Sequence, residues 1–195
     1  MALPNGELVC FRPVCADDRQ ILAQGMSSLS AQSRLFRFFS PISCLSSEQL
    51  RYFTEVDQHD HVAWIAVSKN QAEQTGLGIA RFIRSMQQPG VAEFAMVVLD
   101  SYQNRGLGSI FMSLLYKLAH SKNIEILQAA VLPENTVMST WLSRLGAVGT
   151  FDNGSYRMDL KISTELSTLA STSLQRVHFY LNHLDTAFQP RLEGV

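Results

Sequence analysis

The chemistry in this sequence concentrates between Val97 and Ser109, where Val-Val-Leu-Asp-Ser-Tyr-Gln-Asn-Arg-Gly-Leu-Gly-Ser passes from an apolar run into the start of a helix. First-turn N–H groups of a helix have no intrahelical acceptor and carry the positive end of its dipole, so they attract phosphate. Gly106 and Gly108 remove side chains that would hold a diphosphate off those donors, and Arg105 adds a cation nearby. The loop suits a ligand with two linked phosphates. Neither the Gly-x-x-x-x-Gly-Lys-Ser/Thr of a P-loop nor the Gly-x-Gly-x-x-Gly of a dinucleotide fold is present. Taken alone, two glycines so spaced also fit an ordinary strand-to-helix turn.

The elements around the loop follow from hydrophobic spacing. The apolar residues 94–99 predict a strand buried on both faces, which Asp100 and Ser101 end. Leu107, Ile110, Phe111, Leu114, Leu115 and Leu118 predict a helix with one wide apolar face. Residues 126–132 read as a parallel neighbour of the first strand, and Asn135 opens a helix over 136–145. Upstream, 8–14 reads as a strand and 16–29 as a helix, with Ser30 capping a further segment that Pro41 ends. In that segment Arg34 and Arg37 alternate with Phe36, Phe38 and Phe39. It reads either as a helix edge with outward-snorkelling arginines or as a wall beside a substrate. Another helix starts at Ser47. Strands over 62–67, 75–83 and from 91 form an antiparallel meander, and Asn153-Gly154 centres a closing hairpin.

Composition narrows the classes. A chain of 195 residues, 46% hydrophobic, forms one packed domain with room for a small appendage. A net charge of -1 gives no overall case for nucleic acid or an anionic membrane. No run approaches the ~20 apolar residues of a membrane span and no secretion signal stands at the start, so a cytoplasmic protein is expected. Cys10, Cys15 and Cys44 lack metal or disulfide spacing. His59 and His61 have only Asp57 and Asp60 nearby, which reads as a solvated turn; no metal is expected.

Gln-x-x-Gly-x-Gly at Gln103–Gly108, between a buried strand and an amphipathic helix, resembles the pyrophosphate motif of the GCN5-related N-acetyltransferases (GNATs). The resemblance covers roughly residues 6–162. It implies an α/β fold with a mixed, mostly antiparallel sheet of six to seven strands flanked by helices. Residues 1–162 would form the acetyltransferase domain and 163–195 a C-terminal helical extension, docked on its own domain or contacting a second copy as a homodimer. The implied cosubstrate is acetyl-CoA. Gln103, Asn104, Arg105, Gly106, Leu107, Gly108 and Ser109 would hold its diphosphate. Met96, Val97, Val98 and Asn135 would meet the pantetheine arm in a gap between splayed strands, although Asn135 also suits a plain helix cap. More narrowly, Arg12-Pro13, Ser30, Ser33-Arg34, Arg37-Phe38-Phe39 and Val56-Asp57 are similar to the bacterial protein-lysine acetyltransferases that act on acyl-CoA synthetases. Larger members carry a fused regulatory domain, for which 195 residues leave no room.

Transfer to an amine needs a neutral nucleophile, yet a free lysine with pKa about 10.4 is roughly 99.9% protonated at neutral pH. Glu93 stands just before the apolar strand core and matches the glutamate taken as general base in those relatives. Partial burial would raise its pKa and improve it as a base, whereas a strand-edge carboxylate in water would do nothing. The resemblance also implies an oxyanion donor, the N–H at a strand bulge near Val98. The tyrosine that many relatives use to protonate the leaving thiolate is replaced by Leu142, so no general acid is assigned. These residues predict acetylation of a primary amine, a protein lysine first and a small amine second, by direct attack in a ternary complex. A non-catalytic acyl-CoA-binding module is the competing class.

Overall fold

The computed structural model describes residues 6–69, 74–162, 175–177 and 179–180. Strand β1 (Val9–Pro13) leads through a 3-10 turn (Ala16–Asp18) into helices α1 (Arg19–Ser28), α2 (Ala31–Phe38) and α3 (Ser47–Thr54). Strands β2 (His61–Ser68), β3 (Gly76–Arg84) and β4 (Val91–Val98) follow as the expected meander. Then come α4 (Leu107–Ser121), β5 (Ile126–Val131), α5 (Thr136–Arg144) and the hairpin β6 (Val148–Asp152) and β7 (Ser155–Lys161). The sheet order is β1-β2-β3-β4-β5-β7-β6, with β4 and β5 its one parallel pair among the described residues. This is the mixed, mostly antiparallel α/β sheet that the resemblance implied.

Alternation along the strands divides the core into two layers. Val62, Trp64, Ala66, Ala80, Phe82, Ala92 and Phe94 pack with α4 and with Leu142 of α5. Ala63, Ile65 and Val67 turn to the opposite face, against Ile21 and Leu22 of α1, while Met26 and Leu29 meet Leu99 and Val97. Gly78 lets β3 and β4 pack under α4. A Cβ there would stand 2.9 Å from the Val97 carbonyl oxygen and 3.0 Å from the Phe111 ring.

Two expectations are corrected. The strand buried on both faces is β2, buried at every position from Val62 to Val67, not residues 94–99. In β4, Ala95 to Val98 are only half-buried, because the strand loses its neighbour there. Arg37 does not snorkel outward. It lies in a crevice over the Phe38 ring, 4.9 Å from its centroid, and burial lowers its pKa to about 10 against the support of Glu93. The half-buried Arg34 guanidinium donates to the Leu29 carbonyl.

Sequence capping signals operate as read. The Ser30 hydroxyl accepts from Ser33 N–H at 3.1 Å, and Asn153-Gly154 turns the hairpin with φ of 47° and 81°. Of the C-terminal stretch, Val177 is described as buried in the main core, its carbonyl accepting from Ser113 Oγ at 3.0 Å. The rest of the apolar stripe expected at 174–188 lies outside the described residues.

One buried ion pair ties β1 to the helical layer. Arg12 donates to both Asp18 carboxylate oxygens at 2.7 and 2.6 Å, and Cys15 N–H donates to the same group at 2.9 Å. Burial alone would raise the Asp18 pKa, but the Arg12 and Cys15 hydrogen bonds outweigh it and hold the carboxyl below its ordinary value. A pKa depressed on folding stabilises the protein above the unfolded value of about 3.9, and that contribution is lost as pH falls through the folded value. Asp18→Asn is therefore expected to cost about 2–3 kcal/mol near neutrality, less than a fully buried pair because Arg12 is partly exposed. The gap to wild type should close as urea melts are taken down below about pH 3.9. A gap independent of pH would contradict the assignment.

Candidate active site

The site opens where β4 and β5 part. They pair only through Val91↔Ile126, Ala92↔Leu127 and Glu93↔Gln128, and then diverge. Leu99 N–H donates to Leu77 and Ser85 N–H to Val91, so odd-numbered residues of β4 bond to β3 and even-numbered ones face β5. Beyond the last rung, the backbone groups of Met96 and the N–H of Val98 point into the gap. The Val98 carbonyl accepts from Gln103 Nε2 at 3.2 Å. No bulge produces this opening: the β3–β4 register runs unbroken from Arg84↔Ala92 to Gly78↔Val98. The expected bulge near Val98 is thus corrected, since divergence of β5 frees the same groups.

The gap widens into a cleft of about 1050 Å³. Met96, Val97 and Val98 line one side and Ala129, Ala130 and Val131 the other; Gln103, Asn104, Gly106, Gly108 and Ser109 lie at one end, with Asn135 beyond. The loop enters α4 through left-handed residues, Asn104 at φ 59° and Gly106 at φ 92°. Helix α4 has no side-chain cap, and its first internal bond runs from Ile110 N–H to the Gly106 carbonyl at 3.1 Å. The N–H groups of Leu107, Gly108 and Ser109 are therefore left without an intrahelical acceptor. A Cβ on Gly108 would meet nothing within 4 Å, so its absence keeps the approach to those donors open.

The other expected residues divide. Leu107 has a fully buried side chain, leaving only its backbone to offer, whereas Ser109 is largely buried but still borders the cleft. Arg105 is exposed and turns away from the cleft, its guanidinium over the Tyr102 ring at 4.9 Å and 3.9 Å from Glu7. Asn135 caps α5, accepting from Met138 N–H at 3.2 Å, while still lining the cleft. Leu142 is fully buried and has no acid to give. Glu93 sits at the apex of the fork, on the last rung before the strands part, and it is exposed. Its expected partial burial is corrected: β5 carries Gln128 alongside it, not an apolar lid.

Of the two readings of the arginine–phenylalanine segment, the wall holds for the cleft, which Ser33, Phe36 and Arg37 of α2 line. Sequence reasoning missed Arg144 and Arg176, which also line it, and the part played by Asp100. Asp100 accepts from Ser30 N–H at 2.9 Å, Ser30 Oγ at 2.7 Å and Ser33 Oγ at 2.8 Å, fastening α2 to the loop that leads into α4. These serines sit some seventy residues earlier, so the link carried no local signal. The described residues hold no cluster of metal-ligating side chains, and no described helix is long and apolar enough to cross a membrane. Asp57 explains the His59–His61 segment, since one carboxylate oxygen accepts from the N–H groups of His59, Asp60 and His61 at 2.7, 3.0 and 2.9 Å.

A strand fork beside an uncapped, glycine-marked helix start offers both free amides and phosphate donors. The family model described as "Acetyltransferase (GNAT) domain" matches residues 9–148. This chain belongs to the GNAT acetyltransferase family. Acetyl-CoA is the cosubstrate of that family, and the fork, the open Gly108 and the free first-turn N–H groups fit its pantetheine arm and diphosphate. Acetyltransferase Pat of Mycolicibacterium smegmatis is 34% identical over 144 residues, covering 74% of this chain and 42% of its own length. The chain thus spans less than half of that relative. Acetyltransferase PA5475 of Pseudomonas aeruginosa is 28% identical, covering 77% of this chain and 81% of its own length. Among solved structures, the GNAT domain of S. lividans PAT superposes with a TM-score of 0.74 at 26% identity, covering 83% of this chain and 94% of that domain.

Gly108→Val is expected to leave the melting temperature within a few degrees of wild type, since the added carbons enter open space. It should weaken CoA binding at least tenfold by calorimetry, because the side chain would stand before the first-turn donors. Unchanged affinity would remove the loop from the GNAT-family phosphate role.

Proposed function

We propose that this protein transfers the acetyl group of acetyl-CoA to the side-chain amine of a lysine on a protein, by direct attack in a ternary complex with Glu93 as general base. The observation that supports this reading best is the position of Glu93 on the last paired rung, where the cleft begins. In this reading the loop 103–109 and the helix start hold the diphosphate, and Met96, Val97, Val98 and Asn135 flank the arm that leads to the thioester.

The attacking amine must lose a proton as its nitrogen bonds to the acetyl carbonyl carbon. Glu93 accepts that proton and, being exposed, can release it to water. The Val98 N–H, freed by the parting of β5, is aimed to donate to the oxyanion as the tetrahedral centre forms. When the C–S bond breaks, the sulfur leaves as a thiolate; with a thiol pKa of about 8.5 it needs no protein acid, consistent with the buried Leu142. The similarity to an acetyltransferase named Pat supports a protein acceptor.

Glu93→Gln keeps the shape and hydrogen-bonding capacity of the side chain but cannot accept the proton. Turnover of a lysine-containing acceptor should fall about 10²–10⁴-fold while the Kd for CoA stays near wild type. Undiminished turnover would take Glu93 out of the mechanism.

A further inference from the structure

We propose that Arg37 and Arg81 form a subsite that reads a carboxylate carried by the acceptor a short distance from the amine to be acetylated. The proposal rests on the amine-acetylation reading above and names a feature of its substrate. Arg81, on β3, is 4% exposed, yet its Nε atom has no hydrogen-bond partner. Its remaining contacts are weak or neutral: Nη1 lies 3.2 Å from His61 Nε2, Nη2 donates to the Phe53 carbonyl at 3.4 Å, and the guanidinium lies 4.3 Å over the Phe53 ring. Arg37 approaches the same Phe53 ring from α2, at 5.9 Å. Neither arginine makes a salt bridge to a carboxylate among the described residues.

Two neighbouring like charges, Arg81 buried and Arg37 half-buried, with no described carboxylate in salt-bridge contact with either and only the exposed Glu93 supporting Arg37 at longer range, are an arrangement that folding alone does not favour. Burial, then repulsion from Arg37, lowers the Arg81 pKa to about 9, and burial lowers that of Arg37 to about 10. Both remain cations near neutrality. His61, lowered to about 4 by burial and by Arg81, is neutral there and brings no negative charge. Tyr52 and the exposed Glu93 are the other titratable groups that act on the pair. A planar carboxylate presents two acceptor oxygens to guanidinium donors and supplies the missing charge.

There is room and a route for it. Both arginines line a cavity of about 60 Å³, several times the ~10–15 Å³ that one water requires. Its other walls, including Ile79, Val97 and Phe53, are apolar, so a charge placed there is little screened. Arg37 and Val97 also line the main cleft, so the cavity adjoins the space an acceptor group would occupy. In register, Arg81 pairs with Ala95, two residues along the same face from Glu93. The backbone positions of the base and the anion reader are therefore diagonal neighbours about 8 Å apart on one face of the sheet. That span suits either an acidic residue near a target lysine in a protein or the α-carboxylate of a free amino acid whose side-chain amine is acetylated.

The test measures CoA release with acetyl-CoA and paired acceptors: single-lysine peptides with Glu or Gln at each of the three positions on either side, and L-lysine against L-lysinamide. Wild type should favour the carboxylate member of at least one pair by about 10–100-fold in kcat/KM. Arg37→Gln, or Arg81→Met should the first not fold, should erase that preference. A preference among the peptides assigns the anion to a protein acceptor, and one confined to lysine assigns it to a small molecule. Equal kcat/KM within every pair, or a preference that survives both substitutions, overturns the proposal. Should no acceptor be turned over, the function reading fails by itself. The subsite is then judged by calorimetry with the Nε-acetylated peptides and with acetyl-lysine against its amide: tighter binding of the carboxylate form upholds it, and equal binding overturns it.

Discussion

The parting of β4 from β5 after three rungs is the constraint on which the rest of the site depends. A buried backbone amide without a partner is costly, so a sheet that opens in its middle must offer its free groups to something else. Here the odd-numbered half of the β4 groups stays satisfied by β3, while Met96 and Val98 face a cleft lined on both sides by strand backbone. The sheet is a continuous ladder from β1 to β4 and again from β5 to β6, so the opening interrupts pairing without leaving either half unsupported. Helix α4 packs against β3 and β4 on one face, and its N-terminus is thereby held at the mouth of the opening.

This arrangement explains why β4 is only half-buried from Ala95 to Val98 while β2 is buried from Val62 onward. Apolar composition looks the same in both strands. Val97 and Val98 are hydrophobic because they border a ligand cleft and the α1 layer, not because they lie at the centre of the core. The sheet's ligand surface and its core are thus built from the same kind of residue, and only the absence of a neighbouring strand distinguishes them.

That limit defines what was legible in the sequence. Element order, the β2–β4 meander, the Ser30 and Asn135 caps, the Asn153-Gly154 turn and the glycine-marked start of α4 all depend on contacts within a few residues, and they could be read locally. Arg105, Arg37 and Glu93 could not be placed that way. The direction of Arg105 is set by Glu7 and Tyr102, the burial of Arg37 by Phe53, and the exposure of Glu93 by a neighbour on β5. Each is decided by a partner distant in sequence, and charge or spacing alone carries no information about it.

Asp100 joins two parts of the protein that a mechanism would treat separately. Because one carboxylate takes hydrogen bonds from Ser30 and Ser33, and Gln103 reaches both Ser33 and the Val98 carbonyl, the helix that walls the cleft and the turn leading to α4 are braced together. Displacement of either end is transmitted to the other through charged and neutral hydrogen bonds rather than a slack linker. By thermodynamic reciprocity, whatever tightens the grip on one substrate through that brace tightens the grip on its co-reactant by the same factor.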